Sequence, residues 1–425
     1  MNYDVVVIGA GLGGLMAGIT AAKEGKKVLI VGKGIGIITI FTGTIDYLGH
    51  YPPEVISPLG SPKEGIGELI AKNPDHPYSK VGMKFIEGGV SAFLEVASSG
   101  GVRYVGDLNR NFLLPTAVGT VKPTALLSSS MAPGDLRDDG DVLICGFQGL
   151  RDFYPSYMAH NISTLTVEGV ELPHFRGRTV DLELGAESSG MTSLTLARKF
   201  DDPDFLERVA QALYENVRDG ERIATPAVLG LRRSDEVIEY IERVINTKIF
   251  ETPTLPPSVS GYRLYKALEA VLRSLKVKLL LGYEVVSART ENDRVIELTI
   301  SMGKREMVLG GKAFVLATGG LVGRGIHSTE TSLLEPIFGL DVVGPKTRSG
   351  WFNKNFFDPA GHPINKVGIC VDENLIPIDE KKKPRFKNLF VVGAQLCGYD
   401  ALKEKSGGGV TISSSYKAGV LASKI

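Results

Sequence analysis

The stretch Tyr3-Asp4-Val5-Val6-Val7-Ile8-Gly9-Ala10-Gly11-Leu12-Gly13-Gly14 decides the fold. The apolar run from Tyr3 to Ile8 reads as a buried strand. A glycine-dense corner follows, then a helix-like segment to Glu24 and a second apolar run from Lys27 to Val31. Together these make a β-α-β unit with a G-x-G-x-x-G pattern at its first turn. In that pattern the first glycine permits the tight turn, the second lets backbone approach a pyrophosphate, and the third lets helix and strand pack closely. The helix start then offers free N–H groups and a positive dipole end to an anion. The pattern gains its meaning from context, since it follows a strand and opens a helix inside a unit of the right length. Gly9, Gly11 and Gly14 are therefore expected to line the phosphate end of a nucleotide-type cofactor.

An acidic side chain should stand at the end of the second strand to hold the ribose hydroxyls of an adenine dinucleotide. The chain has Val31-Gly32-Lys33-Gly34 there. Gly32 and Lys33 thus occupy the cofactor side of the strand without a carboxylate. Either a dinucleotide is held in another way, or the cofactor lacks an adenosine half.

A chain of 425 residues exceeds one typical domain and leaves ample mass for a buried core. Glycine, at 51 residues, is well above its usual share of about 7%, which fits a fold with many tight βα turns. Lys plus Arg equals Asp plus Glu, 48 each, so no global field favours nucleic acid or an acidic membrane surface. Three widely spaced cysteines, Cys145, Cys370 and Cys397, cannot hold a four-thiolate iron–sulfur cluster by themselves. They also speak against a disulfide scaffold and for a reducing, cytoplasmic compartment. The first apolar segment lacks the basic flank and cleavage site of a signal peptide, and no apolar run reaches the ~18 residues of a membrane span.

Along the chain, residues after Gly36 lead through Asp46 into a proline- and glycine-rich stretch ending at Pro77. Lys84 to Ser98 has helical periodicity, and Arg103 to Leu127 alternates like strands. A second strand-turn-helix begins at Asp141 with Val142 to Leu150, and helical runs at 204–218 and 234–245 continue an α/β rhythm. Pro256-Pro257-Ser258 then opens a helix with Ser258 as N-cap. Strands follow to Lys312–Leu316, which ends in Ala317-Thr318-Gly319-Gly320. Near the end, Asn388 to Ala394 is a last buried strand, and Gly407-Gly408-Gly409-Val410 opens a final helix. The expected architecture is α/β: a discontinuous, flavoprotein-type Rossmann-like domain at 1–49 and 258–425, with an inserted α/β domain at 50–257.

Five segments in order give the chain a family likeness: Thr42-Gly43-Thr44-Ile45-Asp46, His76-Pro77-Tyr78-Ser79, Leu255-Pro256-Pro257-Ser258-Val259, Glu335-Pro336-Ile337 with Gly339-Leu340-Asp341, and Gly407-Gly408-Gly409-Val410. The chain resembles, nearly end to end, the B-subunit family of anaerobic glycerol-3-phosphate dehydrogenase. That resemblance implies an FMN-containing subunit, membrane-associated only through partners at the inner face of the cytoplasmic membrane. It also implies an FAD-containing catalytic subunit that oxidises sn-glycerol 3-phosphate to dihydroxyacetone phosphate, and an iron–sulfur subunit that leads to quinone. The missing carboxylate at Gly32 agrees with FMN, whereas the full glycine pattern suits the pyrophosphate of FAD, the alternative.

A flavin carries its own redox chemistry, so the protein must bind it and tune it. Thr42, Gly43 and Asp46 are expected near the ribityl chain or ring. Thr318 and Gly319 close the far side of the turn, and Gly393 and Asp400 hold the ribityl or phosphate region. Gly408, Gly409 and Val410 would present N–H groups to the pyrimidine oxygens. No metal-ligand or hydrolase motif occurs. Should the chain oxidise an alcohol itself, His76, Arg263 and Arg348 are the candidates for base and anion contacts. Two other readings stay open: a self-sufficient flavin dehydrogenase of a small polyol or organic acid, and a non-redox scaffold with a degenerate flavin site.

Overall fold

The computed structural model describes residues 2–55, 57–182 and 190–425. β1 (Asn2–Ile8) leads into α1 (Leu12–Lys23) and β2 (Val28–Gly32). β1 lies parallel to β2, with Val5 opposite Val28, and the side chains from Val5 to Ile8 are all buried. Such a continuous apolar run is what a parallel strand covered on both faces requires. A 3-10 turn, Gly36–Thr39, follows.

Next come α2 (Pro62–Lys72), α3 (Pro77–Val81) and α4 (Met83–Ser99). Ile86, Val90, Phe93 and Ala97 recur every three or four residues and give α4 one buried face. That face joins the cluster built on Val5–Ile8 and α1. The two larger hydrophobic clusters among the described residues therefore do not divide at residue 50. Only the first core covers the apolar faces of α2 to α4, and the second cluster runs from Leu113 to Val259. β3 (Tyr104–Gly106), β4 (Phe112–Pro115), β5 (Val121–Thr124) and β6 (Leu126–Ser128) form two short ladders, β3 with β6 and β4 with β5. They straddle the division, with Leu126 in the first cluster and Leu113 in the second.

The second unit holds β7 (Asp141–Phe147), α5 (Pro155–Ser163), β8 (Phe175–Val180), α6 (Ser193–Lys199), α7 (Pro203–Tyr214), β9 (Glu221–Pro226), α8 (Ser234–Ile245) and β10 (Ile249–Thr252). Its four strands are parallel in the order β10-β9-β7-β8. α9 (Val259–Ser274) returns the chain, with Ser258 Oγ accepting the Gly261 N–H at 2.8 Å as its cap.

β11 (Lys278–Leu281), β12 (Glu284–Glu291), β13 (Arg294–Ser301) and β14 (Glu306–Leu316) complete the first sheet in the order β11-β2-β1-β14-β13-β12. Two-residue strands follow: β15 (His327–Ser328), β16 (Leu333–Leu334), β17 (Val342–Val343) and β18 (Gly368–Ile369). β19 (Leu389–Val391) then pairs parallel with β14, and α10 (Ala401–Glu404) and α11 (Gly407–Ala422) close the chain. α11 packs closely on α1, because a Cβ at Gly419 would lie 2.6 Å from Thr20 Cβ.

One expectation about cysteine fails. Ile369 bridges Leu396, and this pairing brings Cys370 and Cys397 together as a disulfide across 27 residues. Sequence distance concealed a spatial contact. Cys145 is free and buried. Among the described residues no helix is long and apolar enough to cross a membrane.

Candidate functional site

The carboxyl ends of β1 and β14 meet at a corner built without side chains. The Gly9 N–H donates to Val31 O at 2.7 Å, and its φ of +114° suits only glycine. A Cβ there would lie 2.2 Å from Ala317 O, and one at Gly14 would lie 1.9 Å from Gly9 O. Gly11 differs, since a Cβ on it would meet nothing nearer than Gly36 Cα at 3.8 Å. Gly11 is also the N-cap of α1 and supplies no side-chain cap. Among the described residues, the N–H groups of Leu12, Gly13 and Gly14 therefore have no acceptor outside the helix.

The second helix start lies beside the first. A Cβ at Gly13 would stand 3.2 Å from Thr411 Cγ2, and one at Gly393 would stand 3.5 Å from Thr411 Oγ1. Thr411 is in the second turn of α11, so the two glycine corners converge at one end of the first sheet. α11 has no side-chain cap at Ser406. Gly409 N–H donates to Asp46 O at 2.8 Å and Val410 N–H to Ser406 O at 2.9 Å. The expectation that Gly408, Gly409 and Val410 all present free N–H groups is corrected accordingly. The helix begins at Gly407, so Val410 already bonds back to its N-cap, and among the described residues the N–H groups of Gly407 and Gly408 have no acceptor.

Thr42, Gly43 and Asp46 approach the start of α11 from the other side. Thr42 and Thr44 share a 2.9 Å hydroxyl contact, and Thr44 donates to Asp46 Oδ1 at 3.2 Å. The second Asp46 oxygen accepts from Lys122. Burial, then neighbouring Lys122, holds the Lys405 ammonium below its usual range, against Asp46 and Asp400. Lys122 and Lys405 thus add basic groups here that periodicity does not single out. Gly43 is closed in by Ser260 and by Tyr104, whose hydroxyl donates to Gly43 O at 2.7 Å.

On the facing edge, Thr318 Oγ1 accepts from Gln395 Nε2 at 2.8 Å, beside Gly319 at φ +82°. The other amide atom of Gln395, Oε1, is buried with no partner. Sequence reasoning misses Gln395. Its one signal is a lone polar side chain in the apolar run Val391 to Leu396. Gly393 spends its N–H on Ser414 Oγ at 3.0 Å. Asp400 does not face this space as expected. Its carboxylate caps α10 through the N–H groups of Leu402 and Lys403 at 3.1 and 3.2 Å, and accepts from Asn365 at 3.2 Å.

At the end of β2, a Cβ on Gly32 would press 2.6 Å onto Ala10 Cβ, and Gly32 O accepts from Gly282 and Tyr283. Lys33 pairs with Glu284 of β12 at 3.0 Å. A carboxylate therefore stands near this strand end, supplied by another strand.

The three catalytic candidates are dispersed. His76 is fully buried, with Nδ1 accepting from Tyr78 N–H at 3.0 Å and Nε2 bonded to Glu404 at 3.1 Å, so neither ring nitrogen is free. Arg263 is buried against Glu251, with Nη1 and Nη2 at 2.6 and 3.0 Å from its two oxygens. Arg348 is exposed and stacks over Trp351 at 5.3 Å.

A flavin nucleotide fits this donor set. The free N–H groups suit phosphate and ring oxygens, the gap at Gly11 admits a phosphate to the backbone, and Gln395 Oε1 is an acceptor awaiting a hydroxyl or N–H.

Comparison with known proteins agrees in kind. The family described as FAD binding domain matches residues 4–410. The chain is 33% identical to the probable anaerobic glycerol-3-phosphate dehydrogenase B subunit of Halobacterium salinarum, covering all of this chain and 98% of that protein. It is 31% identical to the corresponding B subunit of Pectobacterium carotovorum, covering 98% and 97%. Among solved structures, the 3-ketosteroid delta1-dehydrogenase of Sterolibacterium denitrificans aligns over 100% of this chain and 99% of its own, at 12% identity and a TM-score of 0.46.

Proposed function

We propose that this chain, which belongs to the FAD binding domain family and within it to the B subunits of anaerobic glycerol-3-phosphate dehydrogenase, is the flavin-carrying electron-transfer subunit of such an enzyme. In this reading a partner subunit oxidises sn-glycerol 3-phosphate, and electrons pass through this chain toward an iron–sulfur subunit and quinone. The assembly is peripheral to the inner face of the cytoplasmic membrane. The observation that carries the reading is the convergence of two uncapped, glycine-built helix starts around Thr411, with Gln395 Oε1 unpartnered beside them.

When bound, the flavin supplies two-electron redox chemistry, and the protein supplies position and charge. Leu12, Gly13 and Gly14 N–H groups hold phosphate, while Gly407 and Gly408 N–H groups hold carbonyl oxygen at the ring. Gln395 orients the ribityl chain, kept in place by its bond to Thr318. Thr42, Gly43 and Asp46 close the same space, where Lys122 pairs with Asp46 and Lys405 adds a second basic group.

The flavin is FAD rather than FMN. What supports this is the extent of the FAD binding domain match, 4–410, and the open approach to Gly11, which suits a pyrophosphate. Glu284, next to Lys33, offers the ribose contact that Gly32 cannot make. The engagement of His76 and Arg263 in buried structural contacts favours relay over independent catalysis.

The test is release of the cofactor by denaturation and its identification by mass, together with dye-linked oxidation of sn-glycerol 3-phosphate by the purified chain. FAD and negligible turnover are expected. FMN would overturn the cofactor assignment, rapid turnover the relay, and a colourless protein that takes up neither flavin the whole reading.

A further inference from the structure

The second sheet has a feature that the flavin site does not use. Its chain runs from β7 outward to β8, returns across β7 to β9, and continues to β10. The direction of winding thus reverses between β7 and β9. In open parallel sheets, the crevice beyond the carboxyl ends of the strands at such a reversal is where ligands bind.

A cavity of about 140 Å³ lies at that place. Its walls are the loop 150–153 leaving β7, Pro226 at the end of β9, residues 254–257 after β10, and residues 190–193. Buried Phe153 and Met191 give it an apolar side, while Ser193 and Thr254 add hydroxyls. An engineered cavity of about 150 Å³ holds a benzene ring, so this one accepts a ligand of similar size.

One observation points to the charge of that ligand. Arg151 is exposed at the cavity and makes no hydrogen bond or ion pair among the described residues. Its Nη2 reaches to 4.0 Å from where a Cβ on Gly190 would sit, so the guanidinium spans the mouth between two of the walls. Beside it Asp152 turns the loop with a left-handed backbone, φ +65°, which an aspartate adopts more readily than most residues.

We propose that this crevice binds a small hydroxylated organic anion, a short carbon chain ending in a carboxylate or phosphate monoester. Arg151 grips the anionic head with its planar fork of donors. Asp152 accepts from hydroxyls, and the Phe153 side covers the carbon chain. The site adjoins the first domain, because Ser258 N–H, just beyond Pro257, donates to Thr39 O at 2.9 Å. The inference does not depend on which flavin the first domain holds.

Calorimetric titration of the full-length purified chain tests it, with sn-glycerol 3-phosphate, glycerate, inorganic phosphate and neutral glycerol as probes. At least one organic anion is expected to bind, more tightly than phosphate, with no binding of glycerol. Comparing glycerate with the phosphate ester distinguishes the two heads. Arg151→Gln should weaken binding about tenfold or more, and Met191→Trp, which fills the cavity, should abolish it. Flavin absorbance and melting temperature should stay unchanged in Arg151→Gln. Absence of binding by both organic anions at millimolar concentration overturns the proposal, as does equal binding by both variants and the wild type. Binding that vanishes only when flavin is stripped would place the ligand at the other site, and so also overturns it.

Discussion

Gln395 donates from its side-chain amide to the hydroxyl of Thr318 at 2.8 Å, tying the end of β14 to the turn that follows β19. The bond spends one half of a buried amide and leaves Oε1 without a partner. A buried, unpaired acceptor costs about 1–3 kcal/mol, and a bound flavin removes that cost. Gln395→Leu should therefore lose flavin affinity by about tenfold, roughly one good hydrogen bond. Fluorescence titration of the stripped protein measures this, and unchanged affinity would mean that the ribityl chain lies elsewhere.

Gly11 and Gly14 separate ligand approach from packing. A Cβ at Gly14 collides with Gly9 O, so Gly14→Ala should cost about 1–3 kcal/mol of stability and lower the melting temperature. Gly11→Ala meets only Gly36 Cα at van der Waals distance. It should melt near the wild-type temperature yet purify with little bound flavin, as the ratio of flavin to protein absorbance reads out. A fully loaded Gly11→Ala protein would show that no phosphate approaches this backbone.

Arg263 and Glu251 are both almost completely buried and paired through two bonds, with Ser130 and Leu229 N–H completing the carboxylate. Removing one partner strands a charge, so Arg263→Met should cost about 3–5 kcal/mol in urea unfolding. The double variant Arg263→Met with Glu251→Leu should recover much of that loss. A mild single variant with impaired redox activity would instead make Arg263 a functional residue.

His50 gives a pH signature. Burial, assisted by Lys405, Lys122 and Lys403, holds its pKa below the ordinary 6.5, against a bond to Ser57 O. The unfolded chain then binds the proton more readily than the folded one. Its contribution is fully present above pH 6.5 and is lost as pH falls through the folded value. His50→Gln should flatten the stability profile on the acid side of 6.5, measured by urea unfolding at a series of pH values.

Thiol counting tests the cysteine pairing. Non-reduced, denatured protein should show one reactive thiol, Cys145, whose pKa in the folded state burial pushes up to about 12. Reduction should expose two more and, by the loop-entropy estimate for 27 residues, cost about 3.5 kcal/mol of stability.

Local patterns were legible wherever a short stretch obeys one rule. The Tyr3–Ile8 run, the glycine spacing after it and the Ser258 cap each depend on neighbours a few residues away, and each takes its expected form. The apolar face of α4 was equally readable. Its destination was not, because periodicity states that a face is buried without saying which core covers it. Asp400 and Val410 failed for a related reason. Both lie near the final helix, but one side chain caps α10 and the other N–H closes the first turn of α11.

From sequence alone came the α/β class, the nucleotide-type corner and the family likeness, since these follow from spacing along the chain. The tertiary structure decided what shares a space. It set Thr411 between two glycine corners nearly four hundred residues apart, joined Cys370 to Cys397, buried Arg263 against Glu251, and opened a crevice where the second sheet reverses. Such contacts depend on how sheets and helices close around one another, and the spacing of residues along a chain carries no measure of that closure.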